Sequence, residues 1–398
     1  MILETRKQAK KFILDYKLLF IILVLAIISI VAIYLSTPVQ PYYLQSQNLY
    51  YKQLMWYVIS LSFMFFLLKL GPDKLLTGVR VFYWVLLVLL LVLFIDRYIF
   101  DISDAIIKPI NGTTAWISVL GIGNIQPSEF MKIILVIQVG TIIYDHNQNK
   151  QSSSIYEDIK LFAKVLRTTI LPIVLILLQP DSGVPLIMIF SFIIMLAISG
   201  INRVWIYSAI ILFIIIFFGI VILFNYFPDT LNDILGNNYR INRFHGWLNS
   251  EEYMLSHGNQ LYTSLLAFGS SGLTGHNLNQ LVVGIAEPQT DFIFTIIGQN
   301  FGFLGTSFVL ILLLIFDLKI IKIAYDAKYS VEKIIIAGII GMLVYQQVQN
   351  IGMVIGLLPI TGITLPLISY GGSSILSYFI PLSLIFNLYS DTKKTMIH

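Results

Sequence analysis

Asp291 closes the stretch Ala286-Glu287-Pro288-Gln289-Thr290-Asp291 and opens the apolar run Phe292-Ile293-Phe294. A carboxylate placed there sits at the edge of a bilayer. Partial loss of water raises a carboxyl pKa and makes the group a better proton acceptor. The same position also suits an acid that merely favours a helix N-terminus. Glu287 lies one helical turn earlier and Pro288 suits a first turn, so either acid can be the cap. In Gln126-Pro127-Ser128-Glu129-Phe130-Met131-Lys132 the Gln-Pro pair is extended and Ser128 can start a helix. Glu129 and Lys132 then stand three apart on one face, inside the bundle because both are expensive in lipid. They form either an internal ion pair bracing two spans or a site in which Lys132 faces a phosphate. Asp181, in Gln179-Pro180-Asp181-Ser182-Gly183, belongs to ordinary turn chemistry or to a contact with a polar ligand. Arg240 and Arg243 would share a helix face. Two guanidinium groups so spaced suit a pyrophosphate, and equally a lipid headgroup. His245, His257 and His276 have no metal-site spacing, and 269–275 (Gly-Ser-Ser-Gly-Leu-Thr-Gly) is a flexible loop or a phosphate-facing nest.

The elements that must position these groups are membrane spans. The chain of 398 residues is 57% hydrophobic and 12% charged, about half the charged fraction of a soluble protein. Mean hydropathy is +0.83. Apolar runs predict an all-α polytopic membrane protein with about ten transmembrane helices, near 18–36, 54–70, 79–95, 128–145, 166–180, 184–200, 204–225, 292–317, 333–355 and 373–390. The basic N-terminal stretch precedes an uncleaved first span. Nineteen of the 25 Lys and Arg residues fall on one side of this layout. That asymmetry predicts both termini to be cytoplasmic. Residues 226–291 become a large extracellular loop before the eighth span, ordered as short interfacial helices, within a single 1–398 transmembrane domain. There is no cysteine, hence no disulfide or thiolate chemistry. No internal repeat favours an inverted-repeat transporter. Nothing indicates nucleic acid as a partner.

Residues 350–374 interrupt an apolar run with Pro359, Gly362, Pro366, Gly371 and Gly372. Backbone that breaks a helix at membrane depth is tolerable only against protein or a wet cavity. This segment, with Ser369, Tyr370 and Gly371, is therefore expected to line a site.

Five motifs in order carry a family resemblance: Gly112…Trp116-Ile117, Gln126-Pro-Ser-Glu-Phe, Gln179-Pro-Asp-Ser-Gly, Glu287-Pro-Gln-Thr-Asp-Phe-Ile-Phe, and Leu358-Pro…Gly362…Leu365-Pro-Leu-Ile-Ser-Tyr-Gly-Gly-Ser-Ser. Together with the ten-span layout they resemble the SEDS (shape, elongation, division and sporulation) family, the group of RodA and FtsW. The resemblance implies a peptidoglycan glycosyltransferase of the bacterial plasma membrane. It implies lipid II as substrate, β-1,4-linked glycan as product, and release of undecaprenyl pyrophosphate. The family's essential aspartate falls on Asp291 and its loop tryptophan on Trp116. The sequence departs from the family at Thr113-Thr114-Ala115, Ser182 and Gln299-Asn300, where relatives carry a basic residue, Leu and two acids.

Under that resemblance Asp291 is the expected base. Arg240, Arg243 and Lys132 are expected at the pyrophosphate, and Trp116, Glu129, Asp181, Glu287, Ser369, Tyr370 and Gly371 complete the substrate site. A divalent cation, Mg2+ or Mn2+, suits the pyrophosphate but finds no ligand cluster in the sequence. A class B penicillin-binding protein and membrane lipids are the expected partners. Short tails incline the reading to cell elongation and shape. A lipid II flippase is the alternative, and a non-catalytic scaffold the third reading.

Overall fold

The computed structural model describes residues 12–99, 107, 113–119, 123–150, 154–226, 239–276, 283–327 and 330–397. Twelve helices longer than one turn follow in order among them. They are α1 (Tyr16–Ser36), α2 (Leu49–Leu70), α3 (Pro72–Tyr98), α4 (Pro127–Asn149), α5 (Ile155–Leu178), α6 (Gly183–Ile198), α7 (Arg203–Tyr226), α8 (Tyr239–Leu248), α9 (Asn259–Ser271), α10 (Ile293–Asp326), α11 (Ser330–Val354) and α12 (Gly372–Ile397). A two-stranded antiparallel hairpin, β1 (Ile117–Val119) and β2 (Gly123–Ile125), precedes α4. Eight of the helices are long and apolar enough to cross a membrane, and α6 and α7 fill the sixth and seventh predicted spans. The protein is a polytopic helical membrane protein, as its composition requires.

Local chemistry sets the helix starts. Asp15 caps α1, its Oδ1 accepting from the amides of Lys17 and Leu18 at 3.0 Å each. Pro127 occupies the first turn of α4, as the Gln-Pro step predicts. Ser154 caps α5. The core gathers around α4, which packs against α3, α5, α6, α11 and α12 and buries Met131 through Ile137 without interruption. A span buried on all sides reads as continuously apolar, which is what this one does from Ile133 to Ile137, between Lys132 and Gln138.

The two ends of the bundle are chemically distinct. At one, Lys319 of α10 pairs with Asp15 at 2.6 Å and Ser390 of α12 accepts from the amide of Ile13. Lys393 and Lys394 lie at this same end, which identifies it as cytoplasmic by its basic residues. At the other lie Asp181, Asp291 and the segment between α11 and α12.

That segment, 355–371, is extended and turning backbone with positive φ at Gly356, Gly362 and Leu367. Helices all round it capture its carbonyls. Trp247 donates to Gly356, Gln349 to Pro359, Arg243 to Ile360, Asn350 to Ile363, Tyr57 to Leu367, Ser29 to Ile368 and Gln53 to Ser369. Non-helical backbone at membrane depth is thus satisfied by protein, the condition that lets it persist there.

α10 is broken as well. Its 34 residues would measure about 51 Å unbroken, against a hydrocarbon core of about 30 Å. Gly302 interrupts it at φ 61° and ψ −156°. The amides of Phe303 and Leu304, which lose their helical partners there, donate to the carbonyls of Gly272 and Leu273, each at 3.0 Å. The carbonyl of Gln299 accepts from His276. The small-residue stretch 269–275 is therefore neither a free loop nor a nest. Its backbone repairs the break.

The long segment before α10 holds α8 and α9, as expected of ordered short helices. α9 is more than interfacial. Ser264 is buried and reaches the carbonyl of Val354 and Oγ1 of Thr295, both at 2.8 Å.

Candidate active site

The turn 287–292 is built around Glu287, which adopts φ 49°. Its carbonyl accepts from Thr290 and Phe292, and its Oε2 accepts from Gln289 Nε2 (3.0 Å) and Thr290 Oγ1 (3.2 Å). The 355–371 segment grips this turn from the other side. Ser369 Oγ donates to the carbonyl of Thr290 at 2.7 Å while accepting from the amide of Leu365, and the amide of Tyr370 donates to the carbonyl of Gln289. The amide of Gly371 points to Gln53 Oε1 at 3.4 Å. Ser369 and Tyr370 thus hold the acidic turn through one hydroxyl and one backbone amide, while Gly371 is tied to α2 through Gln53.

Asp291 stands where the turn meets α10. Its side chain is partly exposed, and among the described residues its carboxylate has no hydrogen-bond or ion-pair partner. A Cβ added at Gly362 would lie 3.4 Å from Asp291 Oδ2, so the bare glycine leaves the carboxylate its room. Burial pushes the Asp291 carboxyl up to about 7. The neighbouring charge of Glu287 adds to the rise, and Arg243 opposes it. Arg243, on α8, donates from Nη1 to the carbonyl of Ile360 at 3.1 Å, which places its charge on the same face as Asp291. Arg240 is one turn earlier on α8, and its side chain lies outside the described residues.

A second carboxylate stands behind the same segment. A Cβ on Gly183 would meet Ile363 Cγ1 at 3.1 Å, Asp181 Oδ1 at 3.8 Å and the carbonyl of Thr361 at 3.8 Å. Asp181 therefore backs onto 361–363 while Asp291 fronts Gly362. Asp181 Oδ1 accepts from the amide of Val184, capping α6, and Oδ2 accepts from Gln126 Nε2 at 3.0 Å. Burial raises its carboxyl to about 6, with Glu129 adding to the rise and Lys132 opposing it.

Glu129 and Lys132 are brought together as their spacing requires. Lys132 Nζ lies 2.8 Å from Glu129 Oε2, donates to Tyr378 Oη at 3.3 Å and sits over the Tyr378 ring. Lys132 is 0% exposed, so its charge is directed to Glu129 and into the electrostatics of Asp181. Trp116 heads β1, partly buried. The register Ile117↔Ile125 sets it opposite Gln126, on the Asp181 side of the site. Gly112 of the first motif lies outside the described residues.

Sequence reasoning named the acids and missed the residues that hold the 355–371 segment beside them: Ser29, Gln53, Tyr57, Gln349 and Asn350. A signal for the last two was present. Gln346-Gln347-Val348-Gln349-Asn350 is a polar run inside a span, and polar groups there need partners. Among the described residues no group of three or more His, Cys, Asp or Glu is arranged to hold a metal ion.

The profile of the FtsW, RodA and SpoVE proteins, described as cell cycle proteins, matches residues 16–394. The chain is 30% identical to the "Probable peptidoglycan glycosyltransferase FtsW" of Lactococcus lactis over 401 residues, covering 96% of this chain and 93% of that protein. It is 30% identical to stage V sporulation protein E of Bacillus subtilis over 379 residues, covering 94% and 96%. Among solved structures, a chain from a peptidoglycan synthase complex that coordinates polymerization and crosslinking superposes with TM-score 0.74 at 23% identity, covering 95% of this chain and 98% of that one. The rod shape determining protein RodA of Thermus thermophilus superposes with TM-score 0.65 at 24% identity, covering 95% and 97%.

Proposed function

This chain belongs to the FtsW, RodA and SpoVE family, and from that membership we infer that Asp291 is the general base of a peptidoglycan glycosyltransferase. The enzyme is a multi-pass protein of the plasma membrane and works in cell-wall synthesis. The single observation that carries the assignment is the Asp291 carboxylate, partly exposed at the outer end of the bundle, without a partner among the described residues, and pushed up to about 7. A carboxyl in that range is half ionised near neutrality, where a general base works best.

The substrate is lipid II. Asp291 takes the proton of the incoming GlcNAc 4-hydroxyl. That oxygen attacks the anomeric carbon at the end of the growing chain, and the bond to the undecaprenyl pyrophosphate breaks on the opposite face, leaving a β-1,4 linkage. One base on the nucleophile side suffices for such a displacement, as in an inverting glycosidase with a sugar hydroxyl replacing water. Positive charge from Arg243, with Arg240 one turn away, supports the departing pyrophosphate. Asp181, Glu129 and Lys132 form a buried charged cluster behind 361–363 and act on substrate through that segment. Trp116 offers a ring face to a sugar. Among the described residues no group of three or more His, Cys, Asp or Glu is arranged to hold a metal ion, so a divalent cation, Mg2+ or Mn2+, would be held chiefly by the pyrophosphate oxygens of the substrate and would neutralise their charge. The partner is a class B penicillin-binding protein that crosslinks the strand.

Purified protein with labelled lipid II tests this. Asp291→Asn is expected to lower polymerisation by at least about 100-fold, the scale of a lost general base. Wild-type rates in that variant would remove Asp291 from the mechanism. Transport of lipid II across liposomes without polymer would turn the assignment to a flippase. The elongation role places a fluorescent fusion along the lateral wall, and a septal signal would assign division.

A further inference from the structure

Asn350 lies on α11, buried, and its side chain joins the carbonyl of the base itself to the backbone of the 355–371 segment. Its Nδ2 donates to the carbonyl of Asp291 at 2.8 Å and to the carbonyl of Ile363 at 2.7 Å. Two carbonyl oxygens directed at one point repel each other. A neutral amide NH2 supplies two hydrogens from one atom and reconciles them. Asp at this position would add a third acceptor, Ser would offer one hydrogen, and an apolar residue none. The Oδ1 of the same amide is buried without a partner among the described residues, so the work of this side chain lies with its nitrogen. Asn350 is 0% exposed and cannot touch substrate.

We propose that Asn350 is a positioning residue for glycosyl transfer, stapling the carbonyl of Asp291 to that of Ile363 and so holding the Asp291 carboxylate against Gly362. The proposal rests on Asp291 as the base. Ile363 follows directly on Gly362, whose missing Cβ leaves space for Asp291 Oδ2. A staple one residue from that contact sets the depth at which the carboxylate sits. α11 is a rigid mount for it, packed against α4, α6 and α10. Gln349, the preceding residue, anchors the same segment farther out, at the carbonyl of Pro359. The charged and titratable groups facing Asp291 are Glu287 on its own turn, Arg243 on α8, and Asp181 behind 361–363.

The test measures kcat and KM for labelled lipid II, the pH profile and thermal unfolding in detergent, for Asn350→Ala, Asn350→Ser, Gln349→Ala and Asp291→Asn. Loss of the staple lets the carboxylate swing toward water. Asn350→Ala is expected to lose about 100-fold in kcat, the scale of a misplaced catalytic group, with KM within about threefold. The midpoint of its pH profile moves to lower pH, because a hydrated carboxyl returns toward its ordinary range. Asn350→Ser keeps one hydrogen bond, falls about tenfold and shifts in the same direction. Gln349→Ala leaves the midpoint in place. An unchanged midpoint in both Asn350 variants overturns the inference. So does a loss of kcat that only tracks a loss of thermal stability, or a failure of both variants to fold, since each makes Asn350 a brace of the fold alone. If Asp291→Asn polymerises normally, the base assignment has failed and the staple falls with it. If Asp291→Asn is dead while Asn350→Ala keeps its rate and midpoint, only the staple has failed.

Discussion

At the scale of single residues, one carboxyl dominates because its surroundings disagree about it. Burial and Glu287 raise Asp291, and Arg243 lowers it. Polymerisation should therefore rise with pH and level off above about 7. Arg243→Gln removes the opposing charge and should move that midpoint upward. Glu287→Gln removes the neighbouring negative charge and should move it downward. Rates measured across pH 5.5–9 decide both. The linkage to stability runs the other way from catalysis. A carboxyl whose folded pKa is raised stabilises the fold while protonated, and that contribution is lost as pH rises through about 7. Asp291→Asn should accordingly melt higher than the wild type at pH 8 and at about the same temperature as the wild type at pH 4. A functional group held against its own preference has this signature. Trp116→Ala should impair polymerisation more than folding, because the partly buried ring offers a face to sugar. An equal fall in expression and activity would assign it to the hairpin's packing instead.

At the scale of elements, two interruptions build the site: the break in α10 and the segment between α11 and α12. Both place non-helical backbone among helices, and in both, neighbouring residues take up the released polar groups. The α10 break depends on a backbone contact with no room for side chains. A Cβ at Gly302 would stand 2.4 Å from the amide nitrogen of Gly275, and the residue has positive φ. Gly302→Ala should destabilise the protein by more than about 1 kcal/mol, the lower end for a strained backbone position. Gly269→Ala, four residues before Leu273 on α9, meets nothing within 4 Å and should be neutral or slightly stabilising, as for an exposed helical glycine. Thermal unfolding of the pair in detergent separates the break from a general intolerance of this region. The interruption at 355–371 was readable in the sequence, because Pro359, Gly362 and Pro366 cannot continue a helix. The break at Gly302 was not, since a lone glycine in an apolar run is ambiguous until its neighbour is known.

At the scale of the whole molecule, the basic residues set the orientation and the orientation sets where the reaction occurs. The chain has no cysteine, so a single introduced thiol reports its own side of the membrane. Asn249→Cys, just past α8, should react with an impermeant maleimide on intact cells. Lys393→Cys should react only after permeabilisation. The reverse pattern would put Asp291 on the cytoplasmic side and end the case for polymerisation outside the cell. The number of spans, their direction, and the acids at their outer ends were determined by the sequence alone. The membrane's thickness and its intolerance of unpaired polar groups act on every residue of a span independently of the rest of the fold. What only the tertiary structure decided was which acid is open and which are enclosed. Glu129 and Asp181 look as available as Asp291 when read along the chain. Lys132, one turn along the same helix and itself held by Tyr378 of α12, engages the first, and Gln126 and the start of α6 engage the second. Asp291 is left with a bare glycine opposite it, contributed from 71 residues further along (291 to 362). Openness is a property of what packs around a group, and long-range packing has no period that a sequence can display.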